Sequence, residues 1–389
     1  MRAHGLAAIA AGYEPHIFCV ASNTEVVSHD FGIVHSLGTS MPRDHIFAPL
    51  FHPRLTRAVV AFLKDIAPPH LIHGFGPWGA SGTAAMRTLN RQGIQTTAIA
   101  SAYSTQYHEA SVHIRQSRLE YGLAAWLYFR FRFAWTMIAT GRLERSGYEG
   151  SRLILVNYES VRRLLLDQFD LKVEIRRIPY APAAAFSDSE TIDSYHPGGL
   201  LDKPHLNTAP LVVSVSRHTP RKGVDILIRA LAELSARGTD FRACLIGPGD
   251  LLEAHRRLAV RLGLSGKLEI PGRVEDPFKF LRRADIFVLP SLEEGSGSVA
   301  MLEAMQAGTA VIASACDGIP EDLTDGEDGI LVPPGDVPTL RDAIARLLGD
   351  SALRDRLSKR ARETFVRRFS AAAFQTAIGE TYRELGFDT

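Results

Sequence analysis

The chain is short of several features that would fix its class at once. Its three cysteines, Cys19, Cys244 and Cys316, lie far apart among 389 residues. That spacing makes neither a disulfide framework nor a cysteine-rich metal site, and it fits a reducing compartment. No apolar run approaches the roughly 18 residues that a bilayer-spanning helix needs. The opening residues read as helix, turn and strand, not as a secretion signal. Charge of one sign is also lacking: the formal net charge is +1, so the total gives no argument for a nucleic-acid partner. No internal repeat, low-complexity tract or paired-aspartate metal motif is present. What remains is an ordinary globular balance, 46% hydrophobic and 22% charged, in a chain long enough for two domains.

Strand-like and helix-like runs alternate along the chain, which predicts an α/β fold with parallel sheets covered by helices. In the first half the strand runs are 16–20, 70–72, 96–100 and 152–156, with helices over 55–66 and 80–92. The chain enters this pattern inside a helix, so the N-terminal domain reads as lacking its first strand and the loop after it. The glycine-rich loop at 73–79 either admits a ligand close to the backbone or simply turns. Small, polar and Pro/Gly-bearing residues from 183 to 209 mark a change of domain. The expected division is an N-terminal domain over 1–195, a linker over 196–209 and a C-terminal domain over 210–368. Residues 115–145 are dense in aromatics and carry six arginines against two glutamates. Two readings fit them: a basic amphipathic helix lying on an anionic membrane, or a helix packed on the sheet with arginine stems along apolar surface.

The second half carries the chemistry. A strand at 211–215 runs into SRHTPRKG, with Arg217 and Lys222 flanking one tight loop. A strand at 286–289 runs into PSLEEGSGSVAMLEAM, where Glu293, Glu294, Gly295, Ser296, Gly297 and Ser298 precede a helix bearing Glu303. Taken singly, these are surface cations beside a turn and solvated acids. Taken together, they sit where open α/β sheets bind ligands, beyond the carboxyl ends of strands. Arginine and lysine suit phosphate oxygens. Carboxylates accept from sugar hydroxyls, and N–H groups at a helix start favour anions. That combination points to a nucleotide-sugar pocket that needs no metal cofactor, because side-chain cations meet the diphosphate.

The stretches SVSRHTPRKGVDILIRAL, LIGPGD, ADIFVLPSLEEGSGSVAMLEAMQAGTAVIAS and DGIPEDLTDGEDGILVPPGD resemble glycosyltransferase family 4, retaining enzymes of the GT-B fold. The first half resembles the family more weakly, through its strand–helix order and YESVRRLLL. The resemblance implies two Rossmann-like domains facing each other across a cleft, with the donor mainly on the second. It implies diphosphate binding by Arg217 and Lys222, ribose binding by Glu303, and contact of Glu294 with the transferred sugar. It places the base against the loop at Val274, and it implies a last helix, 369–389, that crosses back to the first domain. Glu294 and Glu303 enclose eight residues, one more than the family's usual spacing. That leaves Glu293 and Glu294 as alternatives for the sugar-side acid.

The expected activity is therefore sugar transfer from a nucleoside-diphosphate sugar to an acceptor hydroxyl, with Arg217, Lys222 and Glu294 catalytic. The family suggests a glycan or lipid-linked acceptor in polysaccharide or glycoconjugate assembly. A cytoplasmic protein, peripheral at the inner face of the membrane through 115–145, fits both. Two alternatives stay open on the residues alone: a non-catalytic nucleotide-binding scaffold, and an epimerase or phosphorylase on the same fold.

Overall fold

A computed structural model describes residues 2–41, 47–108, 110–111, 122–182 and 209–385. The chain divides into two compact units, one formed by Met1–Tyr180 with Ala371–Thr389, the other by Ala181–Ser370. The linker expected at 196–209 lies, apart from Ala209, outside the described residues, as do residues 115–121 of the basic segment.

The first unit opens on the helix Arg2–Ala10. A three-stranded sheet follows, from β1 (His16–Ala21), β2 (Glu25–His29) and β3 (Gly32–Gly38), in the order β1-β3-β2. It is mixed: β3 pairs in parallel with β1 and antiparallel with β2. A second sheet is all parallel, from β4 (His70–Phe75), β5 (Thr96–Ala102), β6 (Leu153–Val156) and β7 (Glu174–Arg177), in sequence order. Helices Ala48–Leu63, Gly79–Arg91 and Glu159–Phe169 lie between these strands in the chain. The last helix, Ala371–Leu385, returns to this unit and packs on Arg2–Ala10.

The segment 122–149 is helical with a π turn at Thr136–Thr140, and its two ends behave differently. Gly141–Glu149 is packed, with Gly147, Tyr148 and Glu144 buried. Glu144 accepts from the Tyr148 hydroxyl at 3.0 Å and from the Gln106 N–H at 3.1 Å. Gly122–Trp135 instead leaves Leu123, Leu127, Tyr128 and Phe131 exposed, and Met137 and Ile138 continue that exposure past it.

The second unit holds six parallel strands: β8 (Leu211–Val215), β9 (Arg242–Ile246), β10 (Leu268–Gly272), β11 (Ile286–Leu289), β12 (Ala310–Ser314) and β13 (Ile330–Val332). Their order is β10-β9-β8-β11-β12-β13. The middle strands β9, β11 and β12 are buried along their whole length, as expected for parallel strands covered on both faces. Helix Val224–Ala236 supplies Leu227, Ile228, Leu231 and Leu234 to that core. The sheet winds outward in both directions from the β8/β11 pair. That pair is the topological switch point, where a doubly wound sheet leaves a crevice at its carboxyl ends.

Candidate donor-binding site

Two loops leave this switch point side by side, 216–223 after β8 and 290–298 after β11. They are zipped together by backbone: the N–H groups of Leu292 and Glu293 donate to the Arg221 carbonyl at 2.8 and 3.1 Å. Gly223 makes this approach possible. It sits at φ 57°, and a Cβ there would collide with the Pro290 carbonyl oxygen.

The contact brings Lys222 onto Glu294, Nζ to Oε2 at 2.5 Å, with the side chains only 12% and 4% exposed. The Ser291 hydroxyl donates to the other Glu294 oxygen at 2.5 Å. Burial pulls the Lys222 ammonium below its ordinary range. Glu294 opposes that shift, while Arg221 and Arg217 add to it. Arg217 is exposed, its charge close enough to reach Lys222, and its guanidinium makes no hydrogen bond or ion pair among the described residues.

The 290–298 loop is held on its other side by the loop after β12. Asp317 Oδ2 accepts from the N–H groups of Glu294 and Gly295 at 2.6 and 2.7 Å. The Gly295 N–H, expected from the sequence to meet a ligand, is thus used internally. Those of Ser296, Gly297 and Ser298 have no acceptor among the described residues. Ser298 is the N-cap of Val299–Ala307, its hydroxyl accepting from the Met301 N–H. Glu293 is half-buried, and Glu294 is the acid that faces the lysine.

Glu303 lies on that helix, half-buried, with its carboxyl pushed up to about 7 by burial and by the charge of Asp276. Asp276 caps the helix Pro277–Arg283, which packs on Val299–Ala307. Val274 is half-buried between β10 and that cap. Arg217, Lys222 and Glu294 therefore meet at the switch point, while Val274 and Glu303 stand with Asp276 on the β10 side. Ser291 and Asp317 are contributors that sequence reasoning missed. Their signal is weak, a serine and an aspartate in turns, and their roles come from contacts made across the fold.

In the first unit, the glycine-rich loop 73–79 serves packing. A Cβ on Gly74 would strike Gly79. His73 bonds through Nδ1 to the Tyr382 hydroxyl and through Nε2 to the Ser101 hydroxyl, both at 2.7 Å. Burial lowers this imidazole to about 3, so it ties the C-terminal helix to β4 and β5 as a neutral group.

Two Rossmann-like α/β units, together with the likeness to solved structures given below, make this a GT-B fold. Residues 202–364 match the family model described as "Glycosyl transferases group 1". Among curated relatives, the lipopolysaccharide core biosynthesis glycosyltransferase LpsE of Rhizobium meliloti is 36% identical over 188 residues, 48% of this chain and 53% of that protein. Alpha-D-kanosaminyltransferase of Streptomyces kanamyceticus is 29% identical over 246 residues, 62% of this chain and 63% of that protein. The chain spans about half the length of the curated relatives it matches. Among solved structures, sucrose-phosphate synthase of Thermosynechococcus elongatus superposes with a TM-score of 0.69 at 25% identity, covering 98% of this chain and 91% of that one. HepE of Anabaena in complex with UDP gives a TM-score of 0.70 at 18% identity, covering 98% and 96%.

Proposed function

We propose that this protein is a retaining glycosyltransferase of family 4 that moves a sugar from a nucleoside-diphosphate donor to an acceptor hydroxyl in glycan or glycoconjugate assembly. The observation that carries the reading is the Lys222–Glu294 pair at the β8/β11 switch point, with Arg217 beside it. The diphosphate would lie against Arg217, Lys222 and the open N–H groups of Ser296, Gly297 and Ser298. Glu294 would hold a hydroxyl of the sugar, Glu303 the ribose, and the backbone at Val274 the base.

In the reaction the acceptor oxygen bonds to the anomeric carbon on the face from which the diphosphate leaves. The bond from that carbon to the phosphate oxygen breaks with its electron pair, and the acceptor's proton passes to the diphosphate. Charge develops on the leaving oxygens, where fixed cations and N–H groups stabilise it most. Side-chain cations do this in place of a metal ion. UDP in HepE and relatives named for lipopolysaccharide and phosphatidylinositol sugar transfer support a nucleotide donor and a glycan or lipid-linked acceptor. The exposed apolar residues Leu123, Leu127 and Phe131, one helical turn apart, with Arg130 nearby, support contact with an anionic membrane surface.

The test is a thermal-shift screen of UDP-, GDP- and ADP-sugars, then assay of diphosphate release with and without acceptor sugars. A ligand at a hundred times its Kd adds about 2.7 kcal/mol, a rise of roughly 5–10 °C for a unit of this size. Retention is read from the anomeric proton coupling of the product. If no nucleotide sugar raises the melting temperature, or if release is indifferent to Lys222→Ala, the reading is wrong.

A further inference from the structure

Asp317 stands outside the groups that the donor-site reading uses. It adopts a left-handed backbone, φ 46°, which is strained for a residue with a Cβ. Its Oδ2 receives the N–H groups of Glu294 and Gly295, and the next residue, Gly318, donates its N–H to the Ser296 carbonyl at 2.7 Å. Two consecutive residues of the β12 loop thus grip three consecutive residues of the β11 loop.

The grip fixes more than those three residues. Across a planar trans peptide the C=O and the following N–H point to opposite sides. The Ser296 carbonyl is aimed at Gly318, so the Gly297 N–H is turned away from the 316–318 loop. The N–H groups left without acceptors among the described residues, those of 296–298, follow directly on the two that Asp317 holds. On the other side of the grip, the Glu294 side chain is on Lys222 and Ser291. The strained backbone at 317 is explained by what it places: one carboxylate oxygen between two adjacent N–H groups, a charge-assisted arrangement stronger than a neutral one.

We propose that Asp317 is a positioning residue for the donor site: its carboxylate sets the Glu294–Gly295 turn, keeping Glu294 on Lys222 and the N–H groups of 296–298 open to a diphosphate. This rests on the donor-site reading. The carboxylate acts through the loop and does not touch the sugar or the phosphates.

Two variants test it. Asp317→Gly suits the left-handed backbone and removes the carboxylate, so folding is not at risk from strain. Asp317→Asn keeps an oxygen in place to accept both N–H groups. The readouts are melting temperature, calorimetric binding of UDP, GDP and ADP, and kcat and KM for hydrolysis of the matching nucleotide sugar. In Asp317→Gly the diphosphate that binds the wild type should bind about tenfold more weakly, the effect of roughly one charged hydrogen bond. Its kcat should fall further, with the melting temperature held or raised. Asp317→Asn should recover to within about threefold of the wild type on both. Unchanged binding and turnover in Asp317→Gly overturns the proposal. So does tighter binding, which would make the carboxylate a competitor of the diphosphate, and so does a stable Asp317→Asn as impaired as the glycine variant. If the wild type binds none of the three diphosphates, the donor-site reading itself fails and this inference falls with it.

Discussion

Removing either member of the Lys222–Glu294 pair leaves the other charge buried and alone. The two side chains are 12% and 4% exposed, so solvent screens the pair little. Breaking such a pair from one side costs about 3–5 kcal/mol, whereas replacing both members with matched uncharged groups is often near neutral. Lys222→Met and Glu294→Gln should therefore each destabilise the second unit by about 3–5 kcal/mol, a fall of roughly 6–20 °C. The double variant should regain most of that loss. The assay is a double-mutant cycle by thermal and urea unfolding, with the second unit followed separately. Activity should not follow stability, since the double variant is nearly as folded as the wild type but lacks the cation proposed to meet the diphosphate. Single variants that melt at the wild-type temperature, or a double variant whose loss is the plain sum of the singles, would show that the contact is not made in solution.

Glu303 titrates near 7 in the folded chain against about 4.3 when unfolded. The folded state then holds the extra proton between those values, so this carboxyl's contribution is fully present below the lower value and is lost as pH rises through about 7. The loss is of order 3 kcal/mol, and Glu303→Gln should remove that slope from unfolding measured across pH. Donor affinity should run the other way, strengthening as Glu303 ionises to accept ribose hydroxyls, and a pH-independent Kd would refute the role. Gly223→Ala should cost more than Gly238→Ala by urea unfolding. Both positions have positive φ, but only at 223 does a Cβ meet backbone, the Pro290 carbonyl, while at 238 the space is open. Leu127→Glu with Phe131→Glu should weaken co-sedimentation with anionic vesicles about tenfold or more without changing the melting temperature, because both residues are exposed. Equal sedimentation would remove the membrane from the account.

Legibility in the sequence followed burial. The runs at 211–215 and 286–289 are predominantly apolar stretches bounded by proline and polar residues. Each is a strand within a residue of its expected place, because a parallel strand covered on both faces has no polar side to blur it. Glu25–His29 and Glu174–Arg177 were not legible: the first is exposed throughout and the second sits at a sheet edge with two arginines and a glutamate. The loops carrying Arg217, Lys222 and Glu294, and the helix carrying Glu303, could be located because they follow those clear strands. Their contacts could not. Nothing in the spacing says that Lys222 rests on Glu294, or that Asp317 spans 22 residues to hold Gly295. The two readings of 115–145 were not separable from its composition, and its described part is not uniform: Gly141–Glu149 is packed, while Leu123, Leu127 and Phe131 are exposed.

The two cations flanking the 216–223 loop differ in burial. Lys222 is buried against a carboxylate, so its removal confounds function with stability. The Arg217 side chain is exposed and, among the described residues, its guanidinium has no hydrogen-bond or ion-pair partner; surface substitutions of that kind usually change stability by no more than about 0.5 kcal/mol. A guanidinium kept free beside a buried lysine, close enough to lower that lysine's pKa, is a cost with no structural return in the resting protein. Arg217→Ala should therefore leave the melting temperature within about 2 °C while lowering donor turnover by about a hundredfold, the size of effect expected for one donor aimed at developing charge. Arg217→Lys should recover only part of it, since an ammonium cannot make the bidentate contact with two phosphate oxygens. Normal turnover in Arg217→Ala would remove the diphosphate from this loop altogether, because no other group there is both cationic and unengaged among the described residues.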